Sequence, residues 1–473
     1  MRSYTLLMIA LAMSGCASEH SVNVDGELLT GKPVAGTGVT AFLGVPFAEP
    51  PVGDLRWRAP QPLKTKQERR DTTEFAAACM QSMRILDWYR SLAETFGASA
   101  DYYDDLEISE DCLYLNLWTP TLDPKARLPV MVWIHGGSNK SGWSYENNYR
   151  GHVLAPQGVV VVTVAYRQGA FGFISHPELP DDEPVANFGL WDIVAALQWI
   201  QDNIAVFGGD SNRVTLFGES AGAENILALM FAKPAQDLFH RGVLQSTAGY
   251  GLSMPTLEDE QQRGDALASA LGIRGEEALE RLRQVSAGKL LAGYTENYPD
   301  HYHSPSVDGQ LISESTWTSI QSGYHSDHQL IIGTNADEYT DRLATAREYV
   351  CPSRNVASAS GGHARMYFFS RIREDEGASA LGAYHGAEYP YVFGTHDAYM
   401  TTNQIDLTLS IVMQHYWINF ATTGNPNAQG LPEWPLFEGP DPLVQELGDE
   451  VRTIPAIEPE MCASFEEWNN SRD

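Results

Sequence analysis

Gly218-Glu219-Ser220-Ala221-Gly222 stands between a short apolar run, Val214 to Phe217, and a stretch from Ala221 to Ala232 that reads as a helix. A strand that turns into a helix within five residues needs small side chains on both sides of the turn. It also leaves the serine at the mouth of a sheet, on the N-terminus of the next helix. The rest of the chain agrees with such a unit. Val130 to Ile134 leads into His135-Gly136-Gly137, Val159 to Ala165 into Tyr166-Arg167, and Val243-Leu244, Leu330 to Ile332 and Met366 to Phe369 follow. Continuous apolar runs of this length predict strands buried on both faces, as in a parallel sheet. Leu190 to Asn203, between two of them, has apolar residues at helical spacing. The expected class is therefore α/β, a mostly parallel central sheet flanked by helices, with ligands received beyond the carboxyl ends of the strands.

At 473 residues the length alone does not fix the number of domains, but no repeat, low-complexity tract or long linker divides the sequence. Hydrophobic residues at 43% are ample for a large core. A formal charge of −30 repels phosphate backbones and disfavours nucleic-acid binding; its plainer role is to keep the surface soluble.

The N-terminus has the layout of a signal peptide: Arg2, the apolar run Leu6 to Met13, then Ser14 and Gly15. The apolar run is too short to span a bilayer. Met13-Ser14-Gly15-Cys16 resembles the bacterial lipoprotein processing site, which implies a signal peptide over 1–15, lipidation of Cys16 and a tether over 16–23. Ordinary cleavage and secretion is the alternative. The expectation is an exported protein, periplasmic or anchored at the outer membrane, that touches membrane only through the lipid. Residues 24–473 are then read as one catalytic domain. Cys79, Cys112, Cys351 and Cys462 remain, an even number that an exported protein would pair in one of three ways.

A serine at such a turn is a nucleophile only if backbone donors face the oxyanion. Gly136, Gly137 and Ser138, directly after a strand, can supply them from the upstream side, and the Ala221 N–H from the downstream side.

With these residues in hand, the chain is similar to the type-B carboxylesterases, the cholinesterase-like family of the α/β-hydrolase fold, from about Val24 to Phe465. Phe42-Leu43-Gly44-Val45-Pro46-Phe47-Ala48-Glu49-Pro50-Pro51 opens the family pattern, and Ser109-Glu110-Asp111-Cys112-Leu113-Tyr114-Leu115-Asn116 continues it. Phe171-Gly172-Phe173, Asn187-Phe188-Gly189-Leu190-Trp191-Asp192, Phe207-Gly208-Gly209-Asp210 and the serine segment follow in order. The resemblance implies that Glu338, in Gly333-Thr334-Asn335-Ala336-Asp337-Glu338, is the catalytic acid, with Asp337 as its adjacent rival. It implies that His385, in Leu381-Gly382-Ala383-Tyr384-His385-Gly386-Ala387-Glu388, is the base. The order Ser220, Glu338, His385 is that of α/β-hydrolases. Glu219 and Ser246 match residues of the family that lie around its triad. The pairing Cys79 with Cys112 and Cys351 with Cys462 is likewise implied.

The reading is thus a serine carboxylic-ester hydrolase acting through an acyl-enzyme on Ser220, with broad or bulky uncharged esters as substrates. The alternatives are a catalytically silent binding or adhesion protein of the same fold, and a specialised hydrolase of aromatic or polyester-type esters. The partner is a small-molecule ester; no cofactor or metal motif is present. Oligomeric state, acyl preference and alcohol preference are not encoded in any motif. Five departures from the family stand out. Ser138 replaces the third glycine of the oxyanion loop, Asn139 its aromatic neighbour, and Tyr339 the glycine after the acid. The segment between Glu338 and Cys351-Pro352 is short, which predicts a wider entrance unless Tyr89 to Asp105, with Phe96 and Tyr102, folds across it. Trp88 stands too early to be equated with the cation-binding Trp of cholinesterases, whose stretch reads Asp101-Tyr102-Tyr103-Asp104 here.

Overall fold

Apolar runs without polar alternation need partners on both faces, and a sheet between two helical layers provides them. A computed structural model of the chain describes residues 20–64, 67–247, 249, 252, 254–322, 328–375, 377–397, 399–456 and 462. The signal-peptide and lipidation readings, Cys16 included, lie outside these residues.

Eleven strands form the large sheet: β1 (Lys32–Val34), β2 (Val39–Pro46), β3 (Tyr114–Thr119), β4 (Leu128–Ile134), β5 (Val160–Val164), β6 (Gly209–Glu219), β7 (Arg241–Gln245), β8 (Gln329–Asn335), β9 (Ala364–Phe369), β10 (Leu443–Leu447) and β11 (Val451–Pro455). In space they run β11-β10-β9-β8-β7-β6-β4-β5-β3-β2-β1, so only β4 and β5 exchange places relative to the chain. The block from β5 through β4 and β6 to β10 is parallel, and the outer pairings are antiparallel. This is the α/β-hydrolase fold that the motifs imply.

Alternate residues of β4 face opposite layers, as the strand period requires. Val130, Val132 and Ile134 join the core beneath helices α2 (Phe188–Asn203) and α3 (Ala221–Phe231), with Leu197, Ile226 and Leu229. Met131 and Trp133 join the opposite core against the long helix Gln404–Thr423, through Met413, Trp417 and Phe420. The register decides where chemistry can gather. Ile134 pairs with Val164 and Gly218, and Glu219 pairs with Gln245, which pairs with Gly333. The loops after β4, β6 and β8 therefore open at one edge of the sheet. Cys79 is bonded to Cys112 and Cys351 to Cys462, the two pairings that the resemblance implies. Among the described residues no helix is long and apolar enough to cross a membrane.

Candidate active site

Ser220, between β6 and α3, has φ 53° and ψ −129°, a conformation that costs a residue with a side chain on the order of 1–3 kcal/mol. The surrounding packing enforces it. A Cβ on Gly218 or Gly222 would fall on the carbonyl oxygen of Ile134, so β4 and α3 can approach only with glycine at both positions. Ser220 N–H donates to Gln245 O at 2.9 Å, which ties the turn to β7.

The loop after β4 faces this turn. A Cβ on Gly136 would lie 3.0 Å from Ser220 Cβ, which shows how closely the two segments pass. Gly137 (φ 109°), Ser138 (62°) and Asn139 (51°) carry the backbone through the left-handed region, so the serine in place of the third glycine keeps a glycine-like conformation. Gln81 holds the far end of the loop, donating to Gly142 O at 2.7 Å and accepting from Gly142 N–H at 2.6 Å.

His385 lies beyond β9, on a loop closed over the end of β8. Its Nδ1 is 2.6 Å from Glu338 Oε2, while Glu338 Oε1 accepts the Asn335 N–H at 2.7 Å. Asp337 turns the other way: its carboxylate accepts the Ala383 N–H at 2.8 Å, and its own N–H donates to Ala383 O at 3.0 Å. Of the two neighbouring acids, then, Glu338 touches the imidazole and Asp337 fastens the loop that carries it. Tyr339, in the family's glycine position, is outside the positive-φ region, so the turn tolerates it.

The second nitrogen, His385 Nε2, lies 3.0 Å from Glu219 Oε1. Burial opposes charge on the imidazole, but Glu219 and Glu338 outweigh it and raise its pKa well above the usual histidine value. Ser246 is fully buried at the end of β7, with φ 53° and its N–H donating to Gly333 O at 2.8 Å. Its place is behind the site, between β7 and β8.

Ser220, His385, Glu219 and the loop residues Gly136, Gly137 and Ser138 share one cavity of about 170 Å³. Its outer wall is helix α1 (Arg84–Thr95), through Arg84, Ile85, Trp88 and Tyr89. Trp88, early as it stands in the sequence, is therefore in the pocket. Phe96 and Tyr102 instead pack on the Tyr399 ring, at 6.0 and 4.8 Å. Those two rings therefore do not line the cavity, while α1 does, and Tyr349 of the short segment after Glu338 packs on the His385 ring at 5.4 Å.

Two buried acids escaped sequence reasoning. Glu146, on the pocket wall, is pushed up to about 8, by burial first and then by Glu219, with the hydroxyls of Tyr89 and Tyr149 pulling the other way. Glu388, three residues after His385, rises to about 7 for the same first reason; it accepts from Gln245 Nε2 at 3.0 Å and Asn335 Nδ2 at 2.6 Å. Glu146 belongs to no motif, and Glu388 closes the segment that carries His385 without a role of its own in it.

The family model described as Carboxylesterase family matches residues 18–347 and 339–464. Among curated relatives, the Fumonisin B1 esterase of Sphingopyxis macrogoltabida is 32% identical over 464 residues, covering 85% of this chain and 82% of that protein. The Para-nitrobenzyl esterase of Bacillus subtilis (strain 168) is 32% identical over 455 residues, covering 85% and 89%. Among solved structures, a thermophilic PNB esterase superposes with a TM-score of 0.83 at 31% identity, covering 95% of this chain and all of that one (100%).

Proposed function

The chain belongs to the carboxylesterase family and is a carboxylic-ester hydrolase, and we propose that it works through an acyl-enzyme on Ser220. The contact of His385 Nδ1 with Glu338, in the cavity that Ser220 lines, carries this reading. Glu338 fixes the proton on Nδ1, which leaves Nε2 to accept the Ser220 proton as the oxygen attacks the ester carbonyl. Gly137, Ser138 and Ala221 N–H groups receive the oxyanion, a contribution of about 3–4 kcal/mol for a single donor in a protease of similar logic. The imidazolium then protonates the leaving alcohol, and the same nitrogen activates the water that frees the acid. Glu219 and Glu338 stabilise the imidazolium between these steps.

The substrates are uncharged esters of broad range. The cavity is smaller than the roughly 300–1,000 Å³ that encloses a drug-sized ligand. One half of the ester is therefore enclosed and a bulkier half projects past Arg84 and Trp88. Aromatic walls from Trp88, Tyr89, Tyr149 and Tyr389 favour a second reading, specialisation for aromatic esters. In this proposal residues 24–473 act as one catalytic domain, supported by the single sheet running from β1 to β11. Export, with an anchor at Cys16, suits the two disulfides.

The test is a panel of p-nitrophenyl esters graded in acyl size, and of acetates graded in alcohol size, assayed with the wild type and with Ser220→Ala and His385→Ala. Both variants are expected to lose nearly all turnover while remaining folded. A steep fall in kcat/KM as both halves grow would reject the projecting-group reading, and substantial turnover by Ser220→Ala would reject the acyl-enzyme.

A further inference from the structure

The oxyanion loop and the nucleophile helix are joined by a contact that no motif announces. Asn139, which follows the loop's Gly-Gly-Ser, and Asn225, four residues after Ala221 and so on the same face of α3, are both fully buried. Their amides are reciprocally bonded. Asn139 Nδ2 donates to Asn225 Oδ1 at 3.0 Å, and Asn225 Nδ2 donates to Asn139 Oδ1 at 2.8 Å. The orientation is not arbitrary, because Asn139 Nδ2 also donates to the main-chain carbonyl of His303 at 2.9 Å, where only an NH₂ group fits. The Tyr166 hydroxyl, which donates to His135 O at 2.7 Å, lies 3.2 Å from Asn139 Oδ1.

The main chain is held at the same point. Asn139 O accepts the Gly169 N–H at 2.7 Å, and Ser138 O accepts the His303 N–H at 3.2 Å. Each bond fixes the loop to a neighbouring segment, but only the amide pair fixes it to the helix that begins at Ser220. Asparagine suits this position twice over: it tolerates φ 51° better than most side chains, and it can donate and accept at once.

We propose that the Asn139–Asn225 amide pair is a positioning device for the oxyanion hole: it sets Gly137 and Ser138, on one side, against Ala221, on the other, at the separation that the tetrahedral intermediate requires. The proposal rests on the acyl-enzyme mechanism above. Neither asparagine touches the ester; the pair acts through the backbone donors. A site whose donors drift apart binds the ground-state carbonyl nearly as before and loses the transition state, because the donors are useful only where the charge develops.

The test is a double-variant cycle of Asn225→Ala, Asn139→Gly and both together. Glycine at 139 keeps the left-handed backbone, and alanine at 225 keeps the helix. Wild-type turnover of p-nitrophenyl acetate, absent in Ser220→Ala, is established first, so that failure of the mechanism would show in the wild type and failure of the clamp only in the variants. Asn225→Ala is expected to lower kcat about tenfold with KM changed by less than about threefold, and to weaken inhibition by a trifluoromethyl ketone, which forms a hemiketal on Ser220, in parallel. In the Asn139→Gly background the same change should alter either quantity by no more than about twofold. Circular dichroism and the thermal midpoint report folding; if Asn225→Ala does not fold, Asn225→Ser enters the same cycle. Equal losses in both backgrounds, a rise in KM at unchanged kcat, or an unaltered trifluoromethyl ketone affinity alongside a lowered kcat would each overturn the proposal.

Discussion

Glu219→Gln separates the two carboxylates that flank the imidazole while leaving the Glu338 contact in place. In the wild type Glu219 Oε1 is 3.0 Å from His385 Nε2, where a unit charge pair at an effective dielectric of about 20 interacts by ~5.5 kcal/mol. That is a ceiling. About a third of the imidazole side chain, 32%, is open to the cavity, and water there screens the pair. Burial also opposes the charge in both proteins, so the His385 pKa should fall by only part of that ceiling. The sign follows from the role of the base. A raised pKa keeps the imidazole protonated and unable to accept the Ser220 proton until the pH exceeds it, so kcat/KM should rise with pH through that value. Removing one negative charge moves this limb toward acid. The plateau above it should fall several-fold, because the imidazolium formed during reaction has lost one of its counter-charges. The measurement is kcat/KM for p-nitrophenyl acetate across the stable pH range, with Ser220→Ala as the blank for spontaneous hydrolysis. A limb within about 0.3 unit of the wild type, or displaced toward alkali, would show that Glu219 does not set the state of the base.

Glu338→Gln should lose on the order of 10³–10⁴ in kcat, since an amide cannot hold the Nδ1 tautomer as a carboxylate does, whereas Asp337→Asn, which still accepts the Ala383 N–H, should stay within about tenfold of the wild type; the reverse order of losses would exchange the two assignments. Replacing Cys351 and Cys462 by Ser opens a loop of 111 residues and removes about 4–5 kcal/mol by the chain-entropy account, a fall of about 4–5 °C in thermal midpoint for 473 residues; a fall below about 1 °C would contradict it. Glu146 keeps its proton in the folded chain up to about pH 8 but loses it in the unfolded chain near its ordinary value of 4.5, so folding stability should decline as pH rises between the two. Glu146→Gln should flatten that decline by a few kcal/mol, and an unchanged slope of thermal midpoint against pH would refute the assignment.

The sequence alone determined what local chemistry and chain order can determine. Continuous β-branched runs have one economical use, a sheet covered on both faces, so the strands from β4 to β9 and helices α2 and α3 were legible from their composition. The Gly-x-Ser-x-Gly turn between strand and helix was equally so, because no larger residue fits at Gly218 or Gly222. That turn points to Ser220, whereas the proposed acid Glu338 and base His385 rest on ordered motif similarity; a histidine among 13 cannot be chosen by periodicity. What only the tertiary structure decided are the relations between residues far apart in the chain. Strand register brings the ends of β4, β6 and β8 to one edge, and only there do Glu338 and Asp337 separate, one toward the imidazole and one toward the loop that holds it. Trp88 enters the pocket because α1 is laid across it, a placement that no spacing encodes. Glu146 and Glu388 look like any other acidic residues in the sequence, and their altered protonation arises from burial, which belongs to the assembled core. Asn139 and Asn225, 86 positions apart, meet for the same reason: hydrogen bonds between side chains depend on distance in space, and the sequence specifies that distance only through the whole fold.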